Sequence, residues 1–391
     1  MADNFCVMPF VHAFVTPNTS TISPCCAYTG LKFNNKKQYW TSNQLKTIQQ
    51  NMLNNIRDAG CGECWEKEDR RYSSLRQHSN QIYAEDVKHI KNNKTNNNPF
   101  YLDLRLGNLC NLKCRMCVSE WSSQIADEIL KNPNEDWIDT PIQKIIELDN
   151  NTWETIERWI PYVKRIFMTG GEPTIIKRNL DYIDKIIEGG HAKDVELIFT
   201  TNATNINQNF IEISKKFKSV SFNVSIDATN ELANYIRFPS NWKTIESTLQ
   251  NISKNRVGVS FNTTIQWLNM TRLNEIFNYI ENSGIAFGGI WFQLVTNPSY
   301  LDPIYAPKSM KEKCISDIED FLNTSFFNND KYNNILYGEL KQSLIQTKNF
   351  LFKNLDNVKY VDEFLKRMEI LDRLRGQSLF EVLPELKQIG G

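Results

Sequence analysis

Three cysteines within eight residues, Cys110, Cys114 and Cys117, constrain this chain more than any other stretch. They follow residues 101–107, where leucines alternate with polar or charged residues as in a half-buried strand. The three thiols therefore sit on a loop leaving a strand, close enough along the chain to face one inorganic centre. Six more cysteines are present: Cys6, Cys25, Cys26, Cys61, Cys64 and Cys314. All but Cys314 fall in the first third of the sequence.

The N-terminal residues lack a basic segment followed by an apolar one, and no apolar run reaches the ~18 residues that span a bilayer. A cytoplasmic location with reduced thiols is expected, and with it metal or cluster ligation in preference to disulfides. The 391 residues call for two or three domains. With 45 basic and 45 acidic residues, no global field draws the chain to nucleic acid or anionic lipid. Neither a nucleic-acid nor a membrane partner is expected.

Residues 5–33 read as short strands around a turn at Pro17–Ser20, residues 43–57 as an amphipathic helix, and 65–90 as a second helix. Lys91–Asn98 reads as a linker. Between the two helices, Gly62 allows a tight turn that aims Cys61 and Cys64 at one metal. With Cys6 and Cys25 they form a set of four thiols, which suits a structural zinc site or an iron–sulfur cluster.

From 99 to 298, strand and helix patterns alternate, the mark of an α/β layer structure with parallel strands. Strands are predicted at 101–107, 165–169, 195–201, 220–226, 258–265 and 290–295. Helices are predicted at 122–131, 152–160, 178–188, 207–217, 242–254 and 271–282. Gly189, Gly190 and Gly284 stand where helix ends take a left-handed residue. Such a pattern fits a doubly wound open sheet as well as a partial barrel, and in either the chemistry collects at strand ends. Those ends carry the three cysteines, then Gly170-Gly171-Glu172-Pro173, then Thr201-Asn202-Ala203, then Ser225-Ile226-Asp227. Residues 299–391 show helical periodicity, with Gly376 at a helix end and Cys314 as a packed thiol.

The C-x3-C-x2-C spacing resembles the signature of the radical S-adenosylmethionine (SAM) enzymes. Gly170, Gly171, Glu172 and Pro173 resemble that family's GGEP motif, whose backbone holds the SAM amino group. Asn202 resembles the asparagine near the SAM ribose, Ser225 the serine near its carboxylate, and Arg237 the arginine that often follows. The resemblance implies a partial (β/α)6 TIM-type barrel over residues 99–298. It also implies a [4Fe–4S] cluster on Cys110, Cys114 and Cys117 whose open iron is chelated by SAM. Reductive cleavage of SAM would then give methionine and a 5′-deoxyadenosyl radical that abstracts hydrogen from a substrate. Met116 stands where the family has an aromatic residue, and Ala203 where it has glycine.

Cys6, Cys25, Cys61 and Cys64 resemble the ligands of the SPASM and twitch auxiliary-cluster domains. The pattern departs at Ser20, where those domains have glycine, and Arg70 stands where a SPASM domain has its next cysteine. The shorter twitch type is implied, here as an N-terminal domain of residues 1–98, with Cys26 as a spare thiol, either packed or an alternative ligand to Cys25. A second auxiliary [4Fe–4S] cluster and an electron donor such as flavodoxin or ferredoxin follow from the resemblance. Relatives with auxiliary clusters often modify peptides or proteins, so a peptide or protein substrate is the first expectation and a small molecule the second. A non-catalytic, cysteine-rich zinc protein is the alternative from another class. The sequence holds no Walker-type phosphate loop, no dinucleotide-binding glycine fingerprint and no Gly-x-Ser-x-Gly elbow.

Overall fold

The computed structural model describes residues 3–17, 21–30, 33, 36–69, 73–92, 96–141, 143–328 and 335–390. Asn18, Thr19, Ser20 and Arg70, which entered the reading of the N-terminal cysteines, lie outside the described residues, as do residues 93–95 of the expected linker.

Among the described residues, eight strands form a mostly parallel sheet. They are β1 (His12–Thr16), β2 (Thr21–Ser23), β3 (Tyr101–Arg105), β4 (Arg165–Thr169), β5 (Glu196–Thr201), β6 (Ser219–Ser225), β7 (Gly258–Ile265) and β8 (Gly289–Leu294). The chain divides into two compact units. One comprises Met1–Cys110, Ile145–Phe199 and Ile213–Val220; the other comprises Asn111–Lys144, Thr200–Glu212 and Ser221–Gly391.

In the first unit β2 pairs antiparallel with β1, and β1, β3 and β4 run parallel, β4 pairing in turn with β5. The N-terminal segment thus contributes a strand beside β3, with Ala13 opposite Leu102. Alternation explains it: Ala13 and Val15 are fully buried, as are Leu102 and Leu104 on the same face of β3 and Ile166 and Met168 on β4. The helix Lys177–Glu188 buries Tyr182, Ile183 and Ile186, and the Tyr182 hydroxyl donates to the Ile156 carbonyl at 2.8 Å. Residues 65–90 do not form the single helix predicted. They form Gly62–Asp69, Leu75–Ile82 and Ala84–Lys91, because Ser74 and Gln77 close a capping box that starts a new helix.

The opposite face of these strands mixes polar and apolar residues, most of them half-buried. His12, Tyr101, Arg165 and Glu196 stand in one row across four strands, and Phe14, Asp103, Phe167 and Ile198 in the next. Arg165 pairs with Glu196 at 2.8 Å and donates to the Tyr83 hydroxyl at 2.9 Å. Asp103 is only 5% exposed, its Oδ1 has no hydrogen-bond partner among the described residues, and burial pushes its carboxyl up to about 6. The fold therefore favours protonated Asp103. Its contribution is full below the unfolded value of about 4 and is lost as pH rises through about 6, a change of up to about 3 kcal/mol. Asp103→Asn is expected to flatten that slope in urea midpoints taken from pH 4 to 7. Parallel profiles for the two proteins would exclude Asp103 as its source.

In the second unit β6, β7 and β8 run parallel. Their predicted boundaries shift by one residue at most. Helices Lys308–Leu322, Ile335–Lys353, Val361–Arg375 and Leu379–Val382 follow, so the helical reading of the C-terminal region agrees with the structure. Gly376 ends the third of these helices at φ 63°, and Gly284 ends Leu273–Asn282 at φ 71°. Phe277 stacks on Phe321 at 4.1 Å, and Trp267 meets Phe364 at 4.8 Å. Cys314 is fully buried.

Candidate active site

The cysteine loop is fastened by the residues between its thiols. Within the second unit, Lys113 N donates to the Phe238 carbonyl at 2.6 Å and Arg115 N to the Ile236 carbonyl at 2.9 Å. The loop so lies along residues 236–238, and a turn from Cys117 N to the Cys114 carbonyl follows at 3.0 Å. The two side chains anchor it further. Arg115, with no side-chain exposure, pairs with Asp372 at 2.6 Å and lies 3.6 Å over the Tyr235 ring. Lys113 reaches Glu128 at 2.7 Å, and Glu128 also takes Arg375 at 2.7 Å. Cys114 and Cys117 are half-buried; Cys110, in the first unit, is buried.

Arg237 joins this loop to the end of β6. Its Nη1 donates to Cys114 Sγ at 3.8 Å, and its Nη2 meets Asp227 Oδ2 at 2.6 Å. Asp227 Oδ1 accepts from Thr264 N at 2.9 Å. Burial pushes the Asp227 carboxyl up against the pull of Arg237, and burial likewise raises the Cys114 thiol while Arg237 opposes it. Burial pulls the Arg237 guanidinium down, but Asp227, Cys114 and Cys117 together more than offset it and hold the group above its ordinary value. The carboxylate beside Arg237 is thus the protein's own Asp227. Arg237 Nε is buried and has no hydrogen-bond partner among the described residues. Ser225, the last residue of β6, is half-buried.

Asn202 also holds the loop. Its Nδ2 donates to Asn111 Oδ1 at 2.9 Å, Asn111 Nδ2 donates to Thr204 Oγ1 at 2.7 Å, and that hydroxyl donates to Asn202 Oδ1 at 2.6 Å. Ala203 beside it sits at φ 59°, the left-handed region in which a Cβ costs roughly 1–2 kcal/mol. That conformation is the physical reason for a glycine in the motif it resembles.

In the first unit, the turn after β4 packs on the chain leading to Cys110. Gly171 N donates to the Gly107 carbonyl at 3.2 Å, and Glu172 N to the Leu109 carbonyl at 2.8 Å. A Cβ on Gly171 would stand 2.2 Å from the Leu109 oxygen, and Gly170 adopts φ 113°. The glycines therefore serve a close approach of backbone to backbone. Glu172 is buried, its Oε1 accepting from Thr174 N at 3.1 Å and Thr174 Oγ1 at 2.6 Å. The Pro173 carbonyl accepts from Asn179 at 2.9 Å.

The N-terminal thiols act on one another within the same unit. Burial pushes Cys6 up to about 12; Cys64 adds its charge. Cys61 is also raised to about 12, by burial first and then by Cys6, Asp58 and Cys64. Cys25 is raised by burial, Cys6, Cys26 and Cys61. Cys26, exposed as a residue, is raised by the burial of its sulfur and then chiefly by Asp103. Cys6, Cys25, Cys61 and Cys64 thus lie within electrostatic reach of one another, and Cys26 is within reach of Asp103 on β3. Among the described residues no group of three or more His, Cys, Asp or Glu is arranged to hold a metal ion, and no disulfide links any of the nine cysteines.

The thiols are free and of the ligand type that soft metals take, and at Cys114 a guanidinium is directed at the sulfur, its own Nε having no partner among the described residues. Sequence reasoning missed Lys113, Arg115, Glu128, Asp372 and Arg375 as parts of this site, and placed Asp227 at a strand end without its pairing to Arg237. Lys113 and Arg115 carried a local signal by lying between the cysteines, as Asp227 did by lying two residues after Ser225.

Residues 104–280, just under half of the chain, match the Radical SAM superfamily. That segment holds all the C-x3-C-x2-C cysteines and the strand ends after β3, β4, β5 and β6. Solved structures with partial likeness include native anSMEcpe with bound AdoMet, 17% identical over 58% of this chain and 62% of that one, at a TM-score of 0.43. Streptococcus suis SuiB bound to S-adenosylmethionine is 15% identical over 73% of this chain and 60% of its own, at a TM-score of 0.40. The radical S-adenosylmethionine methyltransferase TsrM from Kitasatospora setae, with cobalamin and a [4Fe–4S] cluster, is 10% identical over 51% and 34%, at 0.35. The chain spans about 60% of the length of the first two. A search of curated proteins found no match.

Proposed function

We propose that the protein is a radical SAM enzyme that abstracts hydrogen from a peptide or protein substrate. A [4Fe–4S] cluster on Cys110, Cys114 and Cys117, with SAM bound, would supply the reductive cleavage that yields the 5′-deoxyadenosyl radical. The observation that carries the reading is Arg237, which directs one nitrogen at Cys114 Sγ and a second at Asp227 and keeps Nε without a partner among the described residues. That Nε is a charged donor suited to the carboxylate of SAM. Gly170, Gly171, Glu172 and Pro173 offer backbone groups, since the Glu172 carboxylate is already engaged by Thr174. Asn202 and Ser225 complete the set, Asn202 also holding Asn111 next to the first cysteine. Cys6, Cys25, Cys61 and Cys64 would bind an auxiliary [4Fe–4S] cluster of the twitch type. The peptide substrate rests on the habit of enzymes with such clusters. A flavodoxin or ferredoxin would supply electrons in the cytoplasm, and among the described residues no helix is long and apolar enough to cross a membrane.

Anaerobic reconstitution tests this. A brown protein with about eight irons that releases 5′-deoxyadenosine under dithionite is expected. A colourless protein with stoichiometric zinc would overturn the reading. Cys25→Ser should lower the iron to about four, whereas Cys26→Ser should keep about eight. The reverse result would make Cys26 the ligand.

A further inference from the structure

A cavity of about 260 Å³ lies within the second unit between the helices Ser123–Lys131 and Val361–Arg375 and the turn at Asn297–Tyr300. Cys114 and Cys117 line it, and Ile125, Ile129, Trp137, Pro298, Tyr300 and Leu371 make its walls apolar. Arg115, Arg367 and Arg375 face it against only two carboxylates, Glu128 and Asp139.

Both carboxylates are engaged. Glu128 takes Lys113 and Arg375 at 2.7 Å each, and Asp139 accepts from Ser119 N. Arg115 is used up by Asp372, Gln377 and the Tyr235 carbonyl. The other two cations hold donors in reserve. Arg375, whose side chain is 2% exposed, has Nη1 without a hydrogen-bond partner among the described residues. Arg367 has Nε in the same condition and meets its nearest anions, Asp136 and Glu363, only at 3.5 and 3.7 Å. Buried donors of this kind are costly unless an acceptor arrives, and the net positive lining favours an anionic one.

We propose that this cavity binds the C-terminal residue of a peptide, its α-carboxylate on Arg367 and Arg375 and its apolar side chain against Trp137 and the isoleucines. The volume is below the ~300–1,000 Å³ of pockets for drug-sized ligands, so it takes one residue and leaves the rest of the peptide outside. Apolar walls with a cationic end exclude a lysine or arginine and give no advantage to an amidated terminus. The proposal rests on the peptide reading of the substrate.

The test uses the reconstituted enzyme with SAM and two probes, N-acetyl-L-leucine and N-acetyl-L-leucinamide, titrated by calorimetry and by tryptophan fluorescence. The acid should bind at least about tenfold more tightly than the amide. Arg367→Gln should remove that preference and leave the amide affinity as it was. Trp137→Ala should weaken both probes together. These two variants spare the buried Arg375–Glu128 pair and so avoid the change most apt to unfold the chain. Equal binding of acid and amide, or a preference that survives Arg367→Gln, would overturn the proposal. If the acid is preferred and no 5′-deoxyadenosine forms without peptide or with it, the cavity stands and the proposed function falls. If 5′-deoxyadenosine forms and the acid is not preferred, the reverse holds.

Discussion

Cys114→Ala is expected to abolish 5′-deoxyadenosine formation under dithionite and to lower reconstituted iron from about eight to about four. Three thiols are the minimum for a cubane cluster that keeps one iron open. The stretch between Cys110 and Cys117 has no other sulfur in reach except the Met116 thioether, a poor substitute for a thiolate. The loss reaches beyond one ligand. Cys114 Sγ also receives Arg237 Nη1, so its removal leaves half of a buried guanidinium without its acceptor. The four N-terminal thiols lie on other segments of the chain and should keep their iron. The assay is iron content with electron paramagnetic resonance of the reduced protein, beside chromatographic detection of 5′-deoxyadenosine. Residual 5′-deoxyadenosine above the level of a Cys110→Ala control would remove Cys114 from the ligand set.

The second large effect is on stability. Asp227→Ala should destabilise the protein by about 3–5 kcal/mol, the usual penalty for stranding the partner of a buried charge. The Asp227 side chain is fully buried, it holds Arg237 at 2.6 Å, and it accepts from Thr264 N at the end of β7. Alanine leaves both donors unmet. Asn keeps the Thr264 acceptor and only weakens the hold on Arg237, so it should cost clearly less. Urea unfolding of the wild type and both variants before reconstitution separates them. A loss below about 1 kcal/mol for alanine would mean that Arg237 finds water or another anion.

What could be read from sequence follows the reach of each physical signal. The strands from β3 to β8 were legible because their side chains alternate, and a period of two is local. The left-handed turns at Gly190, Gly284 and Gly376 were legible because only a residue without Cβ takes them cheaply. Ser74 and Gln77 carried the start of a new helix in plain view, and the break before Leu75 shows that this signal outweighs helical periodicity across it. The place of β1 beside β3 was not legible, since nothing at Ala13 names Leu102 as its neighbour. The same holds for Arg115 and Asp372, which are 257 positions apart. Gly171 was legible as a glycine that something must approach closely. That the approaching group is the Leu109 carbonyl depends on the fold.

The pairing of Arg115 with Asp372 also sets a schedule. A ribosome adding about 5–20 residues per second needs on the order of tens of seconds to pass from the cysteine loop to its anchor near the chain's far end. Throughout that interval the thiols of Cys114 and Cys117 flank an Arg115 that lacks its Asp372 counter-charge. Iron delivered early would meet a mobile ligand set, and iron delivered after release would meet a clamped one. The clamp on Arg115 is therefore complete only once the Val361–Arg375 helix has formed.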